Sequence, residues 1–374
     1  MKKLLVVDDS AFMRKLISEF FEGNSFIEVV GTARNGRDAL AKIKLLNPDV
    51  LTMDVEMPEM NGLEALKQIM EEQPKPVVML SSTTTSNAAI TMEAIANGAV
   101  DFVAKPSGTI SLDLDKIKEE LIEKVKAAAL VPISRLQKAT APPTRFKLAE
   151  QSPMKEQSPV KELLPMKERH PIDAMVDQSW RSHSRKLVVI GTSTGGPRAL
   201  QEVLTTLPAT IGAPILIVQH MPAGFTNSLA KRLNQLSDIT VKEAENGDLL
   251  QPGVAYIAPG GSQMTVRKVG MSTSIYIDAE QPAVGGHKPA VDVLFESVAK
   301  ITDVDRIAVI MTGMGSDGSK GIKALKESGN TRVISEAEES CVVYGMPKSA
   351  EKTGVVDRVV KLTNISQTIM SFIK

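Results

Sequence analysis

Ser193 stands in Gly191-Thr-Ser-Thr-Gly-Gly196, directly after the apolar run Leu187-Val-Val-Ile190 and before Pro197 and a helical pattern. That order spells strand, tight glycine-rich turn, helix, and matches G-x-S-x-G, where a serine is held on a sharp turn at a strand's C-terminal end. A hydroxyl there sits at the mouth of an open α/β sheet, beside helix N–H groups that favour developing negative charge. Taken alone, the turn also fits an ordinary βα connection or a phosphate cradle. Two further strand patterns end in chemistry-bearing residues. Ile215–Val218 leads into Gln219-His220-Met221-Pro222, and Arg306–Met311 leads into Thr312-Gly-Met-Gly-Ser-Asp317-Gly318. If these strands are parallel in one sheet, Ser193, His220 and Asp317 face one crevice. A hydroxyl, an imidazole and a carboxylate are the parts of an activated nucleophile. The order Ser…His…Asp differs from the Ser…Asp…His of α/β-hydrolases, so geometry must judge it. Each residue also has an ordinary structural use: a hydrogen-bonded histidine, or an aspartate in a turn or at a helix cap.

A second polar set lies in the first third of the chain. Asp8 and Asp9 end the strand Leu4–Val7, Asp54 ends Val50–Met53, Ser81 ends Val77–Leu80 and Lys105 ends Phe102–Ala104. Three carboxylates converging at one sheet edge repel one another and call for a cation, and hard oxygen ligands suit Mg2+. One carboxylate could then attack a phosphoryl group, with Lys105 and Ser81 stabilising its oxygens. Singly, each acid could instead be a cap or a solvated loop residue, and Asp9 or Ser10 could cap the first helix.

The elements that must position these residues alternate. Five β/α repeats fill about 130 residues and predict a doubly wound parallel sheet. From Lys186 strands and helices alternate again, with an antiparallel hairpin around Gly270 and a helix from Pro289 to Val298. Between them prolines accumulate and apolar periodicity fails. Pro153-Met-Lys-Glu, Pro159-Val-Lys-Glu and Pro165-Met-Lys-Glu form a six-residue repeat, which predicts a solvated, flexible linker. The expected fold class is therefore two doubly wound α/β domains, flavodoxin-like over 1–128 and Rossmann-like over 185–374, joined by a linker over 129–184.

Composition sets bounds on function. The chain has 374 residues, 43% of them apolar, enough for two cores. Its 44 basic and 44 acidic residues cancel, which argues against a nucleic-acid or membrane-surface protein. The apolar run after Met1-Lys2-Lys3 meets Asp8 after four residues, too short for a signal or a membrane span. The single cysteine, Cys341, excludes an intrachain disulfide and reads as a packing residue. The reading is a soluble, cytoplasmic protein.

Two resemblances add to this. Val6-Val-Asp8-Asp9-Ser10, Asp54 with Met57-Pro58 and Gly62, Ser81, and Lys105-Pro106 resemble a two-component receiver domain. The resemblance implies Asp54 as phosphoacceptor and Asp8, Asp9, Asp54 and the Glu56 backbone carbonyl as Mg2+ ligands. It further implies Ser81 as switch hydroxyl and Lys105 as phosphate sensor. The four motifs at 191–196, 219–222, Gly286-His-Lys-Pro-Ala-Val-Asp-Val-Leu-Phe295 and Met311–Gly318 resemble the catalytic domain of the chemotaxis protein-glutamate methylesterase family. That resemblance implies hydrolysis of glutamyl methyl esters, and deamidation of glutamines, on methyl-accepting chemotaxis receptors. A chemotaxis histidine kinase would be the phosphodonor. Ser193 would be the nucleophile, His220 the base and Asp317 its orienter, with Thr194, His287 and Met314 lining the site. The esterase domain would need no metal, and the protein would be a monomer that neither enters membranes nor binds nucleic acid. The family often has Ser where Ala290 stands, and the linker is long for it. A receiver with a DNA-binding partner domain would show a helix-turn-helix or a basic face, and a nucleotide-binding domain would show G-x-G-x-x-G; residues 186–374 show neither.

Overall fold

The structure is a computed structural model and describes residues 1–105, 114–134 and 184–373. The expected linker lies, except for its first few residues and Ser184, outside them, and so does its proline repeat. The first domain runs β1 (Lys2–Val7), α1 (Ala11–Phe20), β2 (Ile27–Ala33), α2 (Gly36–Leu46), β3 (Val50–Asp54), α3 (Gly62–Glu72), β4 (Val77–Ser81), α4 (Thr85–Ala96), β5 (Asp101–Ala104), α5 (Leu114–Ala128). Its strands form one parallel sheet in the order β2-β1-β3-β4-β5. Period-two alternation sends Leu5, Val7, Leu51, Met53, Val77 and Met79 to one face and Leu4, Val6, Val50, Val78 and Leu80 to the other. Both faces are apolar because helices cover both. Ser10 caps α1, accepting from the Met13 N–H, and Asn61 with Glu64 makes a reciprocal capping box on α3.

The second domain runs β6 (Lys186–Thr192), α6 (Gly196–Leu204), β7 (Ile215–Gln219), α7 (Phe225–Leu236), β8 (Thr240–Glu243), β9 (Val254–Ile257). It continues with β10 (Gln263–Val269), β11 (Ser272–Asp278), α8 (Val291–Ala299), β12 (Asp305–Ile310), α9 (Ser319–Ser328), β13 (Thr331–Glu336), α10 (Met346–Glu351), β14 (Arg358–Val360) and α11 (Leu362–Ile373). Seven strands form a parallel sheet in the order β14-β13-β12-β6-β7-β9-β8, and β10 and β11 form the expected antiparallel hairpin. The chain leaves β6 toward β7 on one side and returns to β12 on the other. The reversal of strand order between β6 and β12 is where such sheets open a crevice.

Helix α8 begins at Val291, two residues later than its sequence pattern predicts. Ala290 has extended backbone and serves as the cap residue, with its N–H donated to the buried Gln263 Oε1. Short edge strands β8 and β14 and helix α11 have no counterpart in the sequence reading. Residues 358–360 are exposed or half-buried, and their pairing to β13 is what makes them a strand.

The two sheets share one apolar cluster. Ala88, Met92 and Ile95 of α4 and Phe102 of β5 are continuous with Phe225, Leu229 and Leu233 of α7. The Phe102 and Phe225 rings lie 4.5 Å apart.

Candidate functional site

Three strand ends of the second sheet meet at the switch point. Ser193 follows β6, His220 follows β7 and Asp317 lies in the turn after β12. The Ser193 N–H donates to the Thr312 carbonyl at 3.0 Å, tying the first of these ends to the third. Gly313 lets them meet, since a Cβ there would come within 2.8 Å of Ser193 Cβ and 2.4 Å of Met346 Sδ. Gly195 takes a positive φ of 77° to turn the chain into α6.

His220 Nε2 lies 2.8 Å from Asp317 Oδ2, with both side chains buried. The same carboxylate accepts from the Val291, Asp292 and Gly318 N–H groups at 2.7–2.9 Å. It therefore caps α8 from another loop, a task that Ala290 at the cap position cannot perform. Burial works to raise the Asp317 pKa, but His220 and the α8 N–H groups outweigh it and hold the carboxyl below the usual range. The His220 Nδ1 atom is buried and makes no hydrogen bond. Among the described residues the Ser193 hydroxyl also makes none, so the structure brings His220 and Asp317 into contact and leaves Ser193 and His220 unbonded. Catalytic hydrogen bonds of this kind often close only around substrate.

The other expected lining residues differ in placement. His287 stacks on His220, with ring centroids 3.7 Å apart and planes 8° off parallel. Burial first, then the His220 charge, pushes the His287 pKa down to about 4, so it is neutral near pH 7. Thr194 is buried and its carbonyl accepts from the Thr312 hydroxyl; Met314 is half-buried on the same turn as Asp317. Cys341 is buried, as a packing residue should be.

The first sheet gathers its own polar set. Carboxylate oxygens of Asp8, Asp9 and Asp54 lie within 4.8 Å of one another, and Lys105 Nζ is 2.8 Å from both Asp8 Oδ2 and Asp54 Oδ2. Burial pushes the Asp54 pKa up to about 6 against the pull of Lys105, with Asp8 and Asp9 adding to the rise. Two buried carboxylates and an exposed third share one ammonium, an all-oxygen donor set short of positive charge. These residues fit a hard divalent cation such as Mg2+. Glu56 and Asp9 line the same surface cleft. The buried Ser81 hydroxyl accepts from the Thr91 hydroxyl of α4 at 2.8 Å and donates to the Ser82 carbonyl.

The CheB methylesterase family model matches residues 188–369, and the response regulator receiver domain model matches residues 4–115. The protein-glutamate methylesterase/protein-glutamine glutaminase of Geobacillus kaustophilus is 53% identical, over 99% of this chain and 98% of its own. The chain belongs to the CheB methylesterase family. The enzyme of the same name from Bacillus subtilis is 47% identical, over 100% of this chain and 99% of its own. The crystal structure of the Thermotoga maritima CheB methylesterase catalytic domain aligns at 44% identity and a TM-score of 0.48, covering 50% of this chain and 98% of that one.

Three features of this site had no role assigned from the sequence. Gln263 is fully buried; its Oε1 accepts from the Ala290 N–H and its Nε2 donates to the Pro282 and His287 carbonyls, so it pins the segment carrying His287. Val342 sits over Gly195, where a Cβ would meet its Cβ at 2.5 Å, and also packs against the receiver's apolar cluster. The third is the Gln219 side chain. A glutamine in a strand pattern gives no hint of what its amide will meet; only the fold does.

Proposed function

We propose that this protein is a phosphorylation-controlled esterase that demethylates glutamyl methyl esters, and deamidates glutamines, on chemoreceptors. The 2.8 Å contact between His220 and Asp317 at the switch point beside Ser193 carries the reading. The names of the full-length relatives supply the substrate class.

Ser193 Oγ attacks the ester carbonyl while His220 takes its proton. With Nε2 held by Asp317, Nδ1 is the nitrogen left to receive it. Asp317 fixes the tautomer and stabilises the imidazolium. Free N–H groups of the turn that leads into α6 would stabilise the developing oxyanion. The tetrahedral species collapses as His220 returns the proton to the leaving methoxide, releasing methanol. Water then attacks the glutamyl-serine ester with His220 again as base, which frees the carboxylate and Ser193. With a glutamine, ammonia leaves instead. Neutral His287 buttresses the imidazole plane without adding a charge, and Thr194 and Met314 flank the same turns.

In the receiver, Asp54 accepts the phosphoryl group from a histidine kinase. Asp8, Asp9, Asp54 and the Glu56 carbonyl would hold Mg2+, which supplies neutralising charge to phosphoryl oxygens. Lys105 and Ser81 respond to the new charge. On this reading the esterase chemistry calls for no metal, and the protein acts in the cytoplasm as a monomer with domains bounded near residues 128 and 185. The unphosphorylated receiver restrains the esterase by contact. Helix α4 packs on the first turn of α6 and on α7, and Glu120 and Lys124 of α5 are close enough for their charges to act on His287.

The test is methanol release from methylated receptor membranes with and without acetyl phosphate. Ser193→Ala should lower kcat on the order of 10⁴-fold while the fold survives. Release within tenfold of the unsubstituted protein would overturn the nucleophile assignment.

A further inference from the structure

The nucleophile turn and the base loop leave neighbouring strands, and their backbone ladder ends where the His220 N–H donates to the Thr192 carbonyl at 3.2 Å. Beyond that bond the Gln219 side chain spans them. Its Nε2 donates to the Ser193 carbonyl and to the His220 carbonyl, each at 3.0 Å. One amide nitrogen thus holds the main chain of the proposed nucleophile and of the proposed base together. Two carbonyl partners fix the amide's orientation, because the reversed rotamer would set its oxygen against both.

The arrangement has a cost that packing alone would not retain. Gln219 is 2% exposed, and its Oε1 is buried without a hydrogen-bond partner. Room for that oxygen comes from Gly196, the first residue of α6, where a Cβ would approach Oε1 to 2.0 Å. An orphaned buried acceptor is unfavourable; an apolar side chain of the same shape would remove that cost but leave the His220 carbonyl without this donor. What an apolar residue cannot do is hold two carbonyls at a fixed separation.

We infer that Gln219 is a positioning residue that sets the register between Ser193 and His220 by bridging their backbone carbonyls. The inference rests on the Ser193–His220–Asp317 reading above. Ser193 and His220 are not hydrogen-bonded to each other, so their alignment depends on the two segments that carry them. A displacement of about 1 Å between reacting groups can cost about 10²-fold in rate.

The experiment uses the full chain, phosphorylated with acetyl phosphate and Mg2+. Gln219→Met keeps length and volume and removes both donors and the orphan oxygen. It should lower kcat for methanol release about 10- to 100-fold, leave KM within about twofold, and change Tm little, because losing the orphan oxygen offsets the lost hydrogen bonds. Labelling of Ser193 by a small fluorophosphonate, which needs alignment but no receptor, should slow in proportion. A purely structural role predicts the reverse: a lower Tm with kcat and labelling rate preserved. A folded Met variant with kcat and labelling rate within twofold of the parent overturns the inference, as does a change confined to KM. Should the Met variant not fold, Gln219→Leu, smaller and likewise without a donor, is judged by the same readouts. Ser193→Ala serves as the control. If it keeps activity, the triad reading fails; if it is inactive and the Gln219 variants are not slowed, this inference alone fails.

Discussion

At the scale of the residue, Asp317 does two jobs that separate under mutation. It bonds His220, as its proposed orienter, and it caps α8. Asp317→Asn keeps the shape but sets an amide against donors, so kcat should fall by several orders of magnitude. The variant should also be less stable, and that difference should depend on pH. A carboxyl whose folded pKa is depressed contributes stability that is fully present above its unfolded pKa, about 3.9, and is lost as pH falls through the folded value. The Tm gap between the parent and Asp317→Asn should thus be widest above about pH 5 and should narrow below about pH 4. A gap constant from pH 7 to pH 3 would contradict the cap. In the receiver, Asp54→Asn should abolish acid-stable, base-labile labelling by acetyl phosphate. Persistent labelling would move the acceptor to another residue.

At the scale of the element, the decisive feature is how helices begin. Helices α6, α7 and α9 each start after a glycine of positive φ and have no side-chain cap. At α6 this keeps the turn open around Ser193, and Gly196 leaves space for Gln219. Replacing a helical glycine by alanine ordinarily gains up to about 1 kcal/mol. Here the new methyl would meet Gln219 Oε1 at 2.0 Å and Thr192 Oγ1 at 2.5 Å. Overpacking of this kind costs about 1–3 kcal/mol, so the steric term wins. Gly196→Ala should lower Tm and reduce kcat at least about tenfold. A raised Tm would show that the amide moves aside freely.

At the scale of the whole molecule, the receiver lies on the esterase through α4, β5 and α5. The contact includes the Phe102–Phe225 pair and Met92, Ile95 and Ala96 against Pro197, Arg198, Leu229 and Arg232. Aromatic pairs add about 0.5–1.5 kcal/mol beyond their area, and about 1.4 kcal/mol suffices for a tenfold shift between closed and open states. Phosphorylation would replace the Asp54 carboxylate by an acyl phosphate of about −1.5 to −2 charges, a net gain of about one negative charge at the sheet edge, and Ser81, bonded to Thr91 of α4, lies between that edge and the contact. Removing residues 1–184 should raise activity several-fold over the unphosphorylated chain and abolish the response to acetyl phosphate. Met92→Lys, which brings a cation beside Arg198 and Arg232, should do much the same without truncation. If the folded 185–374 fragment is no faster than the unphosphorylated whole, restraint by contact is wrong.

The sequence alone pointed to two parallel sheets and to the polar residues at their edges. Near-continuous apolar runs such as Leu187–Ile190, alternating with helical patterns, predict buried parallel strands, and polar residues at the ends of such strands share one edge. Hence Ser193, His220 and Asp317, and Asp8, Asp9, Asp54 and Lys105, were legible before any coordinates. Tertiary structure decided what depends on partners far away in the chain. Residues 358–360 become β14 only by pairing to β13. Helix α8 starts at Val291 after an extended Ala290, whose N–H goes to Gln263 while Asp317 takes the next two. Gln219, Gln263 and Val342 acquire their roles from contacts with residues that no local period encodes, since hydrogen bonds and van der Waals contacts act over a few ångströms of space and are blind to sequence separation.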